Sequence, residues 1–187
     1  MTKLSVNINK LATLRNSRGG SIPDLLKSAK DIESYGGQGI TIHPRPDERH
    51  IRYKDAYDLK EIVSTEFNIE GNPIPKFVDM VFDPKEKMVE GAAEIGADRI
   101  ELYTESFAKA YSEGDKNGII PFTNAAKVAN ELGIGINAGH DLSLDNIKFF
   151  KENIPNLLEV SIGHALICES IYLGLENVIN MYLHRLQ

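Results

Sequence analysis

One cysteine, Cys168, stands in 187 residues. No disulfide can form within the chain, and a reducing compartment, the cytoplasm, is expected. Long apolar runs are missing as well. No stretch reaches the roughly 18 residues a membrane-spanning helix needs, and the opening MTKLSVNINK lacks the apolar core of a secretory leader. No membrane partner is expected. Positive charge is in deficit, with 21 Lys and Arg against 27 Asp and Glu and a formal net charge of -6. That balance argues against a nucleic-acid partner, which selects a basic face, but leaves room for local basic pockets that take phosphate. Pro/Gly/Ser-rich linkers and low-complexity tracts are absent too, so residues 1–187 are expected to form a single domain with a sizeable core.

What is present is an alternation of short apolar strands and helical stretches. Strands are expected at Leu4 to Ile8, Gly39 to His43, Phe67 to Gly71, Arg99 to Thr104, Ile134 to Ala138 and Leu158 to Gly163. Helices are expected over Pro23 to Tyr35, Asp55 to Ser64, Pro75 to Val81, Lys85 to Ile95, Phe122 to Leu132 and Leu144 to Asn153, with one long closing helix from Ala165 to Leu186. Such alternation specifies α/β architecture with a parallel sheet: a closed (β/α) barrel or an open doubly wound sheet. No G-x-G-x-x-G follows the first strand, which disfavours the dinucleotide-binding form. In both architectures ligands bind at the carboxyl ends of the strands.

Polar residues collect at those ends. The first strand leads to Asn7, Asn9 and Lys10, the second to His43 and Arg45, and the third to Glu70. RIELYT supplies Glu101 and Thr104, NAGHD supplies Asn137, His140 and Asp141, and VSIGH supplies Ser161, Gly163 and His164. A histidine in such a place is as readily a hydrogen-bonded structural residue as a proton carrier; its pKa near neutrality suits it to the second role. Glu70 and Glu101 interrupt apolar strands, where a carboxylate is either half of a structural ion pair or a general acid or base with a raised pKa. Arg18, Arg45 and Arg49 are solvated charges or anion-binding forks. Gly163-His164 precedes a helix whose free N–H groups suit phosphate. His43/His50 and His140/His164 lack the spacing of a helical zinc motif, so no metal is expected. Cys168, in an apolar helical stretch, is expected in the core, and His184 on the surface.

Longer phrases carry a resemblance. NINKLATLRNSRGG, GITIHPRPDERHI, FNIEG, DRIELYTE, LGIGINAGHDLSLDN and EVSIGHALI resemble the pyridoxine 5′-phosphate synthase family from the first strand to the last helix. The resemblance implies a (β/α)8 barrel. It implies condensation of 1-deoxy-D-xylulose 5-phosphate with 3-amino-2-oxopropyl phosphate to pyridoxine 5′-phosphate, phosphate and water, with no metal or organic cofactor. It places catalytic roles on His43, Glu70, His140 and Glu101. Asn7 and Arg18 would hold the amino-ketone phosphate, and Arg45 and His50 the deoxyxylulose phosphate. Gly163 and His164 would form a backbone phosphate cradle, and Asn9, Lys10 and Asp141 would line the substrates. Family members form octamers, so a homo-oligomer is implied.

Two departures stand out. Asn9-Lys10 occupies the place of an Asp-His pair in many relatives. An eight-unit barrel takes about 250 residues, whereas this chain has 187. The shortfall falls at KFVDMVFDPKEK, where a junction near 80–83 replaces about two βα units. The resemblance therefore implies a TIM-type barrel shortened by that amount, and with it two rivals to full catalysis. One is a non-catalytic remnant that still binds phosphorylated ligands or assembles with itself. The other is a phosphosugar aldolase or isomerase on the same barrel.

Overall fold

The computed structural model describes residues 1–70, 86–94 and 96–187. The expected helix over Pro75 to Val81, the junction near 80–83 and the end residues Gly71, Lys85 and Ile95 of two further expected elements lie outside them. The described residues cluster into two compact units. One comprises residues 3–70 with Ser161–His184; the other comprises the described residues between 86 and 160 with the two chain ends.

The first unit opens with β1 (Lys3–Asn7), α1 (Asn9–Asn16), α2 (Leu25–Ser34), β2 (Gly39–Ile42), α3 (Tyr53–Ile62) and β3 (Glu66–Ile69). Its strands are parallel, with β2 between β1 and β3; Asn7 lies opposite Thr41, and Thr41 opposite Asn68. Parallel strands covered on both faces are buried almost throughout, and Leu4, Val6, Ile40 and Ile42 are fully so. Helix α2 forms where the sequence demands it. Asp24 caps it from outside by accepting the N–H groups of Leu26 (2.9 Å) and Lys27 (3.1 Å), and Leu25, Ala29 and Ile32 form its buried face. Gly36, in the left-handed region at φ 98°, ends it.

The second unit contains α4 (Glu86–Glu94), β4 (Arg99–Tyr103), α5 (Glu105–Ser112), a 3-10 turn (Lys116–Ile119), α6 (Ile120–Glu131), β5 (Gly135–Gly139) and α7 (Ile147–Asn153). Strands β4 and β5 are parallel, with Glu101 opposite Asn137 and Tyr103 opposite Gly139. Its core is aromatic: Phe107, Phe122 and Phe150 are buried, with ring centroids 5.0–6.2 Å apart. The unit boundary falls within β6 (Leu157–Ile162), after which α8 (His164–Leu173) and most of α9 (Leu175–Arg185) return to the first unit.

Three expectations are corrected, and two helices are added. The closing helix is two helices, because Gly174 at φ 82° breaks it. Asn9 and Lys10, just past the first strand, open α1, one of two eight-residue helices, with α5, that the apolar periodicity conceals. Glu70 lies just past β3 rather than inside it. Cys168 is exposed, not core. No helix of the described residues is long and apolar enough to cross a membrane.

Candidate functional site

Each unit carries one His–Glu pair at the carboxyl ends of its strands. In the first unit the pair stands on a floor of small polar side chains. Every second residue of a strand shares one face, so Ser5 and Asn7, Thr41 and His43, and Asn68 and Glu70 form two layers. In the lower layer the Ser5 and Thr41 hydroxyls meet at 2.6 Å and the Asn68 amide donates to Ser5 at 3.5 Å. In the upper layer His43 Nδ1 is 3.8 Å from Glu70 Oε2, and the Asn7 amide donates to the same oxygen at 3.5 Å. Burial pushes the Glu70 carboxyl up to about 7, against the pull of the Asn7 amide. A carboxyl titrating there changes its proton in the physiological range.

The loop after β2 brings His50 beside His43, with ring centroids 6.2 Å apart. His50 Nδ1 accepts the Ile51 N–H at 2.9 Å, which leaves the proton of the neutral ring on Nε2. Burial, then the charges of Arg49, His43 and Arg45, lower its pKa and favour that neutral form. Arg45 is half-buried with Nε 3.8 Å from Asp47 Oδ1, while Arg18 and Lys10 are exposed. Asn9 is engaged inside the fold: its side-chain oxygen Oδ1 accepts the His43 N–H at 2.9 Å, fixing the backbone of that histidine. Gly163 runs close to Asn7; a Cβ there would lie 3.1 Å from the Asn7 Cβ. His164, the first residue of α8, is exposed, with ring nitrogens 3.7 and 3.8 Å from Cys168 Sγ.

An anchor beneath this loop escaped the sequence reading. Arg15, on α1, grips both carboxylate oxygens of Asp55 at 2.7 and 2.8 Å and donates to the His50 carbonyl at 3.2 Å. Asn16 donates to the same carbonyl at 2.8 Å and accepts from Arg15 Nε at 3.0 Å. Forty residues separate Arg15 from Asp55, so no local motif could announce the pair.

In the second unit His140 Nδ1 lies 3.7 Å from Glu101 Oε1. The His140 ring packs on Tyr103 with centroids 4.5 Å apart. The Tyr103 hydroxyl donates to Glu105 at 2.6 Å, and this hydrogen bond, with burial and the charges of Glu105 and Asp141, pushes the phenol up to about 12. Burial lowers the His140 pKa, opposed by the Asp141 charge, the Gly139 carbonyl and Glu105. His140 and Asp141 both adopt left-handed backbone, at φ 75° and 56°; Asp141 is exposed. Glu159, 2% exposed, receives the Asn137 amide at 3.3 Å; its apolar surroundings in LLEVSI hid it. Among the described residues, no three His, Cys, Asp or Glu side chains are placed to hold a metal ion.

His–Glu pairs at strand ends, on parallel βα repeats, are also a feature to set beside known proteins. The family model described as "Pyridoxal phosphate biosynthesis protein PdxJ" matches residues 4–82 and 78–187. The chain belongs to the PdxJ family. Three relatives named pyridoxine 5′-phosphate synthase, from Flavobacterium johnsoniae, Christiangramia forsetii and Cytophaga hutchinsonii, are 57%, 52% and 49% identical, each with the whole of both chains covered. Each alignment spans 237 positions, 50 more than this chain has residues. The fold is likewise that of solved phosphoribosylanthranilate isomerases from Thermotoga maritima (TM-score 0.52, 10% identity) and Pyrococcus furiosus (TM-score 0.53, 9% identity). All of this chain and 98% of each of those chains are covered. The architecture is a TIM-type (β/α) barrel, shortened relative to a full one.

Proposed function

We propose that this protein is a pyridoxine 5′-phosphate synthase, an enzyme of vitamin B6 biosynthesis. It would join 1-deoxy-D-xylulose 5-phosphate and 3-amino-2-oxopropyl phosphate with release of phosphate and water. The observation that carries this reading is identity of 49–57% along the whole chain to relatives of that name. The chemistry of the residues supports it. Amine–ketone condensation, loss of water, proton shifts, phosphate elimination and ring closure each need a donor or acceptor that works near neutral pH. Glu70, its carboxyl raised to about 7, is suited to take and return a proton beside His43. His140, held largely neutral by burial, is suited to accept one beside Glu101. Arg18 and Arg45 offer forked donors to phosphate, His50 offers its Nε2–H, and the start of α8 at Gly163-His164 offers backbone N–H groups. Asn7 would share its amide between Glu70 and substrate. Lys10 and Asp141, both exposed, would meet the polar ends of the substrates. Asn9 would contribute through the backbone of His43.

We place the missing 50 positions at the 78–82 overlap of the two matched segments, about two βα units. We place the reaction in the cytoplasm, where one unpaired cysteine is stable. Self-association is the assembly we expect, because Ile171, Tyr172 and Leu173 at the end of α8 are largely exposed. The shortening favours a second reading, a remnant that binds the phosphorylated substrates without turnover.

Incubating the purified chain with both substrates and following pyridoxine 5′-phosphate absorbance separates the two. Product that disappears in His43→Ala supports the enzyme. Binding of either substrate by calorimetry without product supports the remnant.

A further inference from the structure

Thr104 follows β4 directly and is the N-cap residue of α5. A threonine there ordinarily turns its hydroxyl onto the free N–H groups of the helix. This one does not: α5 has no side-chain cap bond. Thr104 is fully buried, and its hydroxyl is directed across to β5, where it donates to the carbonyls of Gly139 (2.7 Å) and His140. Its own N–H donates to Gly139 O at 2.9 Å. The two carbonyls flank the start of a backbone segment with an unusual demand. His140 and Asp141 are consecutive non-glycine residues with positive φ, a region that side chains with a Cβ rarely enter. Such a pair persists only where its surroundings hold it. Thr104 grips it on the β5 side. Asn146 grips it on the other, donating to the Asp141 carbonyl at 3.2 Å while accepting the Ser143 N–H at 2.9 Å. The turn aims the His140 imidazole at Tyr103 and Glu101 rather than along the strand.

We propose that Thr104 is a positioning residue for His140: its buried hydroxyl, diverted from capping α5, locks the left-handed turn that holds the imidazole against Tyr103 and within reach of Glu101. This rests on the catalytic reading of His140 given above. The hydroxyl proton forms and breaks no bond in the reaction; the residue acts only through the geometry of His140.

The test compares Thr104→Ala, Thr104→Ser and the isosteric Thr104→Val in the full chain, each first checked for wild-type circular dichroism. Ala and Val are expected to lower kcat about tenfold or more while leaving KM for both substrates within about twofold. Ser, which keeps the hydroxyl and loses only the methyl, should stay within about threefold of wild type. A second readout needs no turnover: the NMR titration of the His140 ring, faced by Glu101, Tyr103, Glu105 and Asp141. In Ala and Val its pKa should rise toward that of a free histidine as the ring swings outward; in Ser it should not. If Ser is as impaired as Ala, or if Ala and Val leave both kcat and the His140 titration unchanged, the inference is overturned. Should the wild-type chain make no product, the functional reading fails while the titration still decides the role of Thr104. Should Val not fold, because its methyl meets the carbonyls, Ala against Ser decides it.

Discussion

Replacing Arg15 by alanine should be among the most destabilising single changes in the first unit. The guanidinium and the Asp55 carboxylate are 9% and 14% exposed and joined by two short parallel hydrogen bonds. Burial alone would raise the Asp55 carboxyl; Arg15 and the Arg52 N–H outweigh it and hold the group below the ordinary carboxylate range. Removing Arg15 strands the carboxylate with the Arg52 N–H at 2.8 Å as its remaining hydrogen bond. It also removes one of two donors to the His50 carbonyl, leaving the Asn16 amide, and one of two to Asn16 Oδ1, leaving Arg52. Breaking one side of a buried pair costs about 3–5 kcal/mol. Partial exposure places this pair at the lower end, about 3 kcal/mol, which for a chain of this size is a fall in Tm of about 6–12 °C. Urea and thermal unfolding followed by circular dichroism measure it. The pH dependence has a fixed sign. A carboxyl whose folded pKa is depressed contributes stability above its unfolded value and loses it as pH falls through the folded one, so the gap between wild type and Arg15→Ala should close in acid below about pH 4. A loss under about 1 kcal/mol at pH 7, or a gap that does not close in acid, would refute the reasoning.

Three further outcomes are expected. Glu70→Gln should abolish the limb of the pH–rate profile near pH 7. Because the folded carboxyl titrates above its unfolded value, wild-type stability from this group is full below about pH 4.5 and lost as pH rises through 7, so the variant should gain up to about 3 kcal/mol on wild type between pH 5 and 8 in urea titrations. Asp24→Ala should cost about 1 kcal/mol, read by the same unfolding curves, because the Leu26 and Lys27 N–H groups lose their acceptor. Gly163→Ala should push Asn7 from Glu70, since the new Cβ would lie 3.1 Å from that of Asn7. With the amide withdrawn, the Glu70 limb of the pH–rate profile should move upward.

Strand positions and the polar residues at their ends were legible because period-2 apolar runs and turn glycines are local signals. The strands fall within a residue or two of expectation, as with Gly39–Ile42 against Gly39 to His43. What stayed hidden depends on partners distant in sequence. Asn9 reads as a substrate contact; that its side-chain oxygen also accepts the His43 N–H shows only in the fold. Arg15 reads as one surface arginine among several until Asp55 meets it. Thr104 reads as a polar residue at a strand end; that its hydroxyl crosses to β5 shows only in the fold. The apolar stretch around Cys168 reads as core, yet Cys168 is exposed and Ile171 and Tyr172, on the same helix, face solvent. The break at Gly174 is invisible in a periodicity that continues on both sides.

The hydroxyl-and-amide tier of Ser5, Thr41 and Asn68 beneath His43 and Glu70 has a further consequence. A slip of one residue in strand pairing would carry Leu4 and Val6 onto that face and turn His43 and Glu70 away with it. Fidelity of assembly and possession of reactive groups are thereby tied to the same few atoms. Substitutions that grease the tier should yield chains that fold into mixed alignments before they disturb the residues above it.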